Sequence, residues 1–143
     1  MRWGHIGVGR IRGMVLGVCL CGVSLRSGEA RIWSGPAAGD WGTAANWTPS
    51  DAIPQAGEDV VITGGSVLVT ADTAELNSIT LSNATIICSN WTTRLRATTV
   101  TIGTNGVVTL PAAFTNNGMS NRIYLVCADL TVAGGGRIDA WGK

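Results

Sequence analysis

"DVVITGGSVLVT", residues 59–70, sets two short runs of valine, isoleucine and leucine on either side of a Gly-Gly pair. β-branched runs bounded by glycine, asparagine or serine are strand-and-turn composition. Three later stretches have the same form: "SITLSNATIICS" from residue 78, "TVTIGTNGVVTL" from 99 and "DLTVAGGGRIDA" from 129. Each predicts a short strand, a four-residue polar or glycine-rich corner, and a second short strand. Such self-similarity is the mark of a repeat architecture.

The segments keep step with one another. Val60, Ile79, Val100 and Leu130 align in one apolar column, 19, 21 and 30 residues apart. Ile62, Leu81, Ile102 and Val132 align in a second with the same separations. Leu68, Ile87, Val108 and Ile138 are expected to form a third. The unequal spacing falls in the connection after the second strand, where "PAAFTNNGMSNR" (111–122) lengthens the last repeat.

A single strand pair of this kind cannot bury its apolar side. Stacked about 4.8 Å apart, successive segments pair their backbones with the neighbours above and below, and like side chains line a common interior. The chain therefore reads as all-β: a parallel β-helix, or solenoid, of about four coils over residues 58–143. Val61, Thr80, Thr101 and Thr131 fall on the outer face, and Arg96 falls over Glu75 as an ion pair between coils. On this register Ile87→Asp would bury a carboxylate and abolish folding. "LNSITLSNATI" from Leu76 echoes a leucine-rich repeat, but the segment after each corner is β-branched rather than helix-forming.

Before the first coil lies "WSGPAAGDWGTAANW" (33–47), with three of the six tryptophans. An open solenoid end exposes interior and unpaired edges. Tryptophans, each burying roughly 150–250 Å², suit its closure, so residues 31–57 are expected to form a Trp-rich N-terminal cap. The competing use is a glycan contact through Trp41, Trp47 and Asn46.

Residues 1–30 read as a signal peptide: Arg2, Arg10 and Arg12, then an apolar run from Met14 to Leu25, then small residues at Gly28 and Ala30. The chain is thus expected to be secreted or at the cell surface, with no membrane span after cleavage, since the run is too short to cross by itself. From Arg31 onward there are six basic and eight acidic residues, a net charge near −2 with no basic patch for nucleic acid. The single histidine, His5, lies in the leader, which leaves no imidazole base or ligand beyond it. Cys88 and Cys127 remain; export permits a disulfide, and buried thiols are the plainer reading.

Trp33, Gly35, Gly39, Trp41, Asn46 and Trp47, with Pro54, Asp59, Val60 and Ile62 after them, resemble the start of secreted bacterial right-handed parallel β-helix proteins of the autotransporter-passenger and pectate-lyase-like type. The closing "GRIDAWGK" is similar to their later coils, which run on into further glycine-rich coils, so the coil region is expected to be incomplete at its C-terminal end. The resemblance implies architecture more than activity, because the scaffold hosts adhesins and lyases alike. In its enzymes, aspartates gather for calcium beside an arginine or lysine base. The nearest residues here are Asp129, Asp139 and Arg137, with a corner between the two aspartates.

No nucleophile elbow, zinc-ligand spacing or phosphate loop is present. The expected function is an exported structural or adhesive surface module without intrinsic catalysis, cofactor or metal. The alternative is the N-terminal fragment of a carbohydrate-active, lyase-like or glycan-binding β-helix protein. Expected partners are a surface glycan or protein, together with self-association through an uncapped last coil.

Overall fold

The computed structural model describes residues 29–50, 52–112 and 121–141. Residues 1–28 of the expected signal peptide, and 113–120 of the long connection, lie outside the described residues. Those described form an all-β chain. Its strands are β1 (Arg31–Trp33), β2 (Ala38–Asp40), β3 (Trp47–Thr48), β4 (Asp59–Ile62), β5 (Ser66–Val69), β6 (Leu76–Leu81), β7 (Thr85–Cys88), β8 (Leu95–Ile102), β9 (Val107–Thr109), β10 (Leu125–Val126), β11 (Asp129–Val132) and β12 (Arg137–Asp139). A 3-10 turn, Ala44–Asn46, precedes β3.

The strands divide between two sheets, alternating between them from β4 to β9. One runs β10-β8-β6-β4-β1-β3, with β11 on the second half of β8; the other runs β12-β9-β7-β5-β2. Every pairing is parallel except β1 with β3. Buried residues from both sheets join in one apolar cluster.

Two of the three expected columns are present as read. Val60 pairs with Ile79, Ile79 with Val100 and Val100 with Leu130; Ile62, Leu81, Ile102 and Val132 keep the same register. The outer column of Val61, Thr80, Thr101 and Thr131 holds as well.

The third column needs correction. Its interior members are Val67, Ile86, Val108 and Ile138, because Val67 pairs with Ile86, Ile86 with Val108 and Val108 with Ile138. Val67 and Ile86 are fully buried, whereas Leu68 and Ile87 point to the other face and are half-buried. The cause is corner length. Three residues, 63–65 and 82–84, separate the strands of the first two segments, and four, 103–106 and 133–136, those of the last two. One extra residue reverses the side to which each subsequent side chain points. Ile87→Asp is therefore not the substitution that puts a charge inside.

Each corner holds one residue in the left-handed region: Gly65 (φ 77°), Asn83 (49°), Asn105 (54°) and Gly135 (85°). Glycine and asparagine are the residues that accept this conformation cheaply. The two asparagines also stack, with Asn105 Nδ2 donating to Asn83 Oδ1 at 3.0 Å.

The residues before the first repeat do more than cover it. β1 pairs in parallel with β4, and β2 with β5, so the N-terminal segment adds a strand to each sheet before β3 folds back antiparallel on β1.

Candidate functional site

The tryptophan-rich stretch builds a closed aromatic cluster. Trp33, Trp41 and Trp47 retain 7, 5 and 0 per cent of their exposure. Trp47 sits between the other two, edge-to-face, with ring centroids 5.2 Å from Trp33 and 4.8 Å from Trp41. Its indole Nε1 donates to the Trp41 carbonyl at 2.9 Å. A Cβ on Gly35 would lie 2.8 Å from Asn46 and from the Trp33 ring, so glycine there is what lets the rings close. Asn46 spends its side-chain amide on the Asp40 carbonyl at 3.0 Å. Stacking on a sugar needs a free ring face, and Trp41 and Trp47 turn theirs inward.

Arg31 ties this cap to the approach of β4. It is 8 per cent exposed; its Nε and Nη2 donate to the two carboxylate oxygens of Glu58 at 2.9 and 3.2 Å, and its Nη1 to Pro49 O at 2.7 Å. Such a forked, mostly buried pair is more than a surface contact. Further along, Arg96 pairs with Glu75, as the stacking register requires.

Arg94 pairs with Asp72 at 2.7 Å. The Arg94 backbone N–H, then its guanidinium, hold the Asp72 carboxyl below the usual carboxylate range. Beside this pair is a group that sequence reading missed. The Arg122 guanidinium lies 4.1 Å from the Tyr124 ring centroid and 5.1 Å from that of Trp91, and both rings are partly exposed. Their juxtaposition follows from the Leu95–Tyr124 backbone bond across two segments, and nothing local in either stretch announces it. A groove of about 410 Å³ crosses the neighbouring face between Glu75, Asn77, Arg96, Thr98 and Cys127.

The last repeat presents a different surface. Leu130, Val132 and Ile138 stand in register over Val100, Ile102 and Val108, which are at most 1 per cent exposed, yet are themselves 45, 46 and 41 per cent exposed. Trp141, next along the chain, is 91 per cent exposed. Asp129 and Asp139 lie on different sheets, and Arg137 Nε stands 4.0 Å from Asp139 Oδ2. Among the described residues no group of histidine, cysteine or acidic side chains could hold a metal, and no helix is long and apolar enough to cross a membrane. Cys88 and Cys127 are both free thiols, and burial pushes that of Cys88 up to about 11. No family model, curated protein or solved structure matches this chain.

Proposed function

We propose that the chain is the capped N-terminal part of an exported parallel β-helix, a structural or adhesive module of the cell surface that works by presenting a rigid sheet face to a partner. The observation that carries this reading is the asymmetry of the two ends. One end is closed by Trp33, Trp41 and Trp47; at the other, interior columns continue into exposed Leu130, Val132 and Ile138. Parallel register from β4 through β6, β8 and β11 supports a coil geometry. Thr80, Thr101 and Thr131 stack on the outer face of one sheet, and the Arg96–Glu75 and Arg94–Asp72 pairs join neighbouring segments, which supports a scaffold reading.

Expression of the full chain in a bacterial host tests the export half of the reading. The expected product begins near Arg31, is found outside the cytoplasm and is degraded when intact cells are treated with protease. An unprocessed chain starting at Met1 in the cytosol would overturn it.

A further inference from the structure

Among the described residues every arginine but one has a carboxylate partner. Arg31 meets Glu58, Arg94 meets Asp72, Arg96 meets Glu75, and Arg137 comes within 4.0 Å of Asp139. Arg122 is the exception. Its guanidinium lies against the Tyr124 and Trp91 rings, 4.1 and 5.1 Å from their centroids, and its Nε is buried with no hydrogen-bond partner. Stacking uses the flat faces of a guanidinium and leaves its in-plane N–H donors, which match a carboxylate in forked geometry.

Ile123, Leu125 and Cys127 pack against the apolar core, so alternation sets Arg122, Tyr124 and Val126 on the outer side. Val126 registers with Arg96 and Leu125 with Leu95, which puts Tyr124 beside Arg94. Those two arginines are already matched by Glu75 and Asp72, so Arg122 is the unmatched charge on this face. Trp91 is 45 per cent exposed, Tyr124 36 and Val126 39. A coil following β10 would pair with its backbone edge and leave these outward side chains open.

We propose that this face docks an extended acidic segment of a partner protein, with a carboxylate on Arg122 and an apolar side chain two residues away on Val126. The inference rests on the reading of the chain as a rigid face presented to a partner, and adds which face it is and the partner's chemistry. Tryptophan, tyrosine and arginine are the residues that concentrate binding energy at protein interfaces, where surrounding apolar area shuts out water. The two rings do this for Arg122 and strengthen its attraction for an incoming carboxylate. Alternate side chains of an extended peptide stand about 6.5 Å apart, the same spacing that alternation gives Tyr124 and Val126. Beyond Val126 the groove bordered by Arg96 and Thr98 receives the rest of the apolar side chain. A stacked sugar needs a free ring face, and both rings already lend one to Arg122.

Fluorescence anisotropy of a labelled peptide, GSESLSG, with the full chain as its host processes it tests this. Binding is expected, weakened about tenfold or more when the peptide's glutamate becomes glutamine, and equally by Arg122→Gln. Both changes together should weaken it no further than either alone, the mark of a direct contact. Replacing the peptide's leucine by serine should weaken binding to the parent chain and not to Val126→Ser. The glutamine peptide decides the matter even where Arg122→Gln fails to fold.

No measurable binding, equal binding of the glutamate and glutamine peptides, losses that add for the paired changes, or tighter binding of a uronate oligosaccharide through Arg122 would each overturn the proposal. Protease treatment of intact cells separates that failure from failure of the export reading. A surface-exposed chain indifferent to the peptide leaves export standing and removes this docking face. A cytosolic chain that binds the peptide through Arg122 does the reverse.

Discussion

Ile86 and Ile87 are neighbours of identical chemistry with opposite surroundings. Ile86 is fully buried in β7 between Val67 and Val108, and Ile87 faces outward on the same strand. Deleting buried methyl groups costs both transfer energy and a cavity, so Ile86→Ala should destabilise by about 2–5 kcal/mol, against less than about 1 kcal/mol for Ile87→Ala. Denaturant midpoints of the two variants check this, and equal losses would contradict the register. Ile86→Asp should prevent folding, since an unpaired carboxylate is placed in an apolar interior. Period-two alternation shows that one of the pair must be inside. It does not show which, because that depends on how many residues the preceding corner consumes.

Corners act at the scale of the element. Gly106 closes the third corner against the second: a Cβ there would lie 2.8 Å from the Leu81 carbonyl oxygen and 3.0 Å from that of Gly103. Gly64, in the first corner, has nothing within 4 Å of the corresponding position. Gly106→Ala should therefore cost about 1–3 kcal/mol, as overpacking does. Gly64→Ala should be neutral or stabilising by up to about 1 kcal/mol, because it narrows the unfolded ensemble. Thermal unfolding of the pair distinguishes them, and equal melting points would mean that the corners do not press on one another. Both glycines look alike in "TGGS" and "GTNG"; only the neighbouring segment's carbonyl makes one of them indispensable.

For the whole molecule, stability should depend strongly on the buried tryptophan cluster. Trp47 contacts both other cap tryptophans and has no exposed surface, whereas Trp141 is 91 per cent exposed. Trp47→Ala is expected to cost about 3–5 kcal/mol and to raise hydrogen exchange first in β1, β2 and β4. Trp141→Ala should leave unfolding unchanged. A Trp47→Ala chain as stable as its parent would show that the two sheets do not depend on the tryptophan cluster. Two tryptophans of equal hydrophobicity thus differ in consequence because one is enclosed by neighbouring rings and the other stands in solvent.

The sequence by itself determined the all-β character, the repeat, two apolar columns and the Glu75–Arg96 contact, since each comes from side-chain alternation and from spacings that can be counted along the chain. Tertiary structure alone decided the third column, the use of Arg31 as a buried tie to Glu58, and the meeting of Arg122 with Trp91 and Tyr124. Those features depend on where a corner ends and on how far a connection travels before rejoining the sheet. Such lengths are fixed by backbone closure against the adjacent segment, a constraint that no stretch of residues carries in isolation.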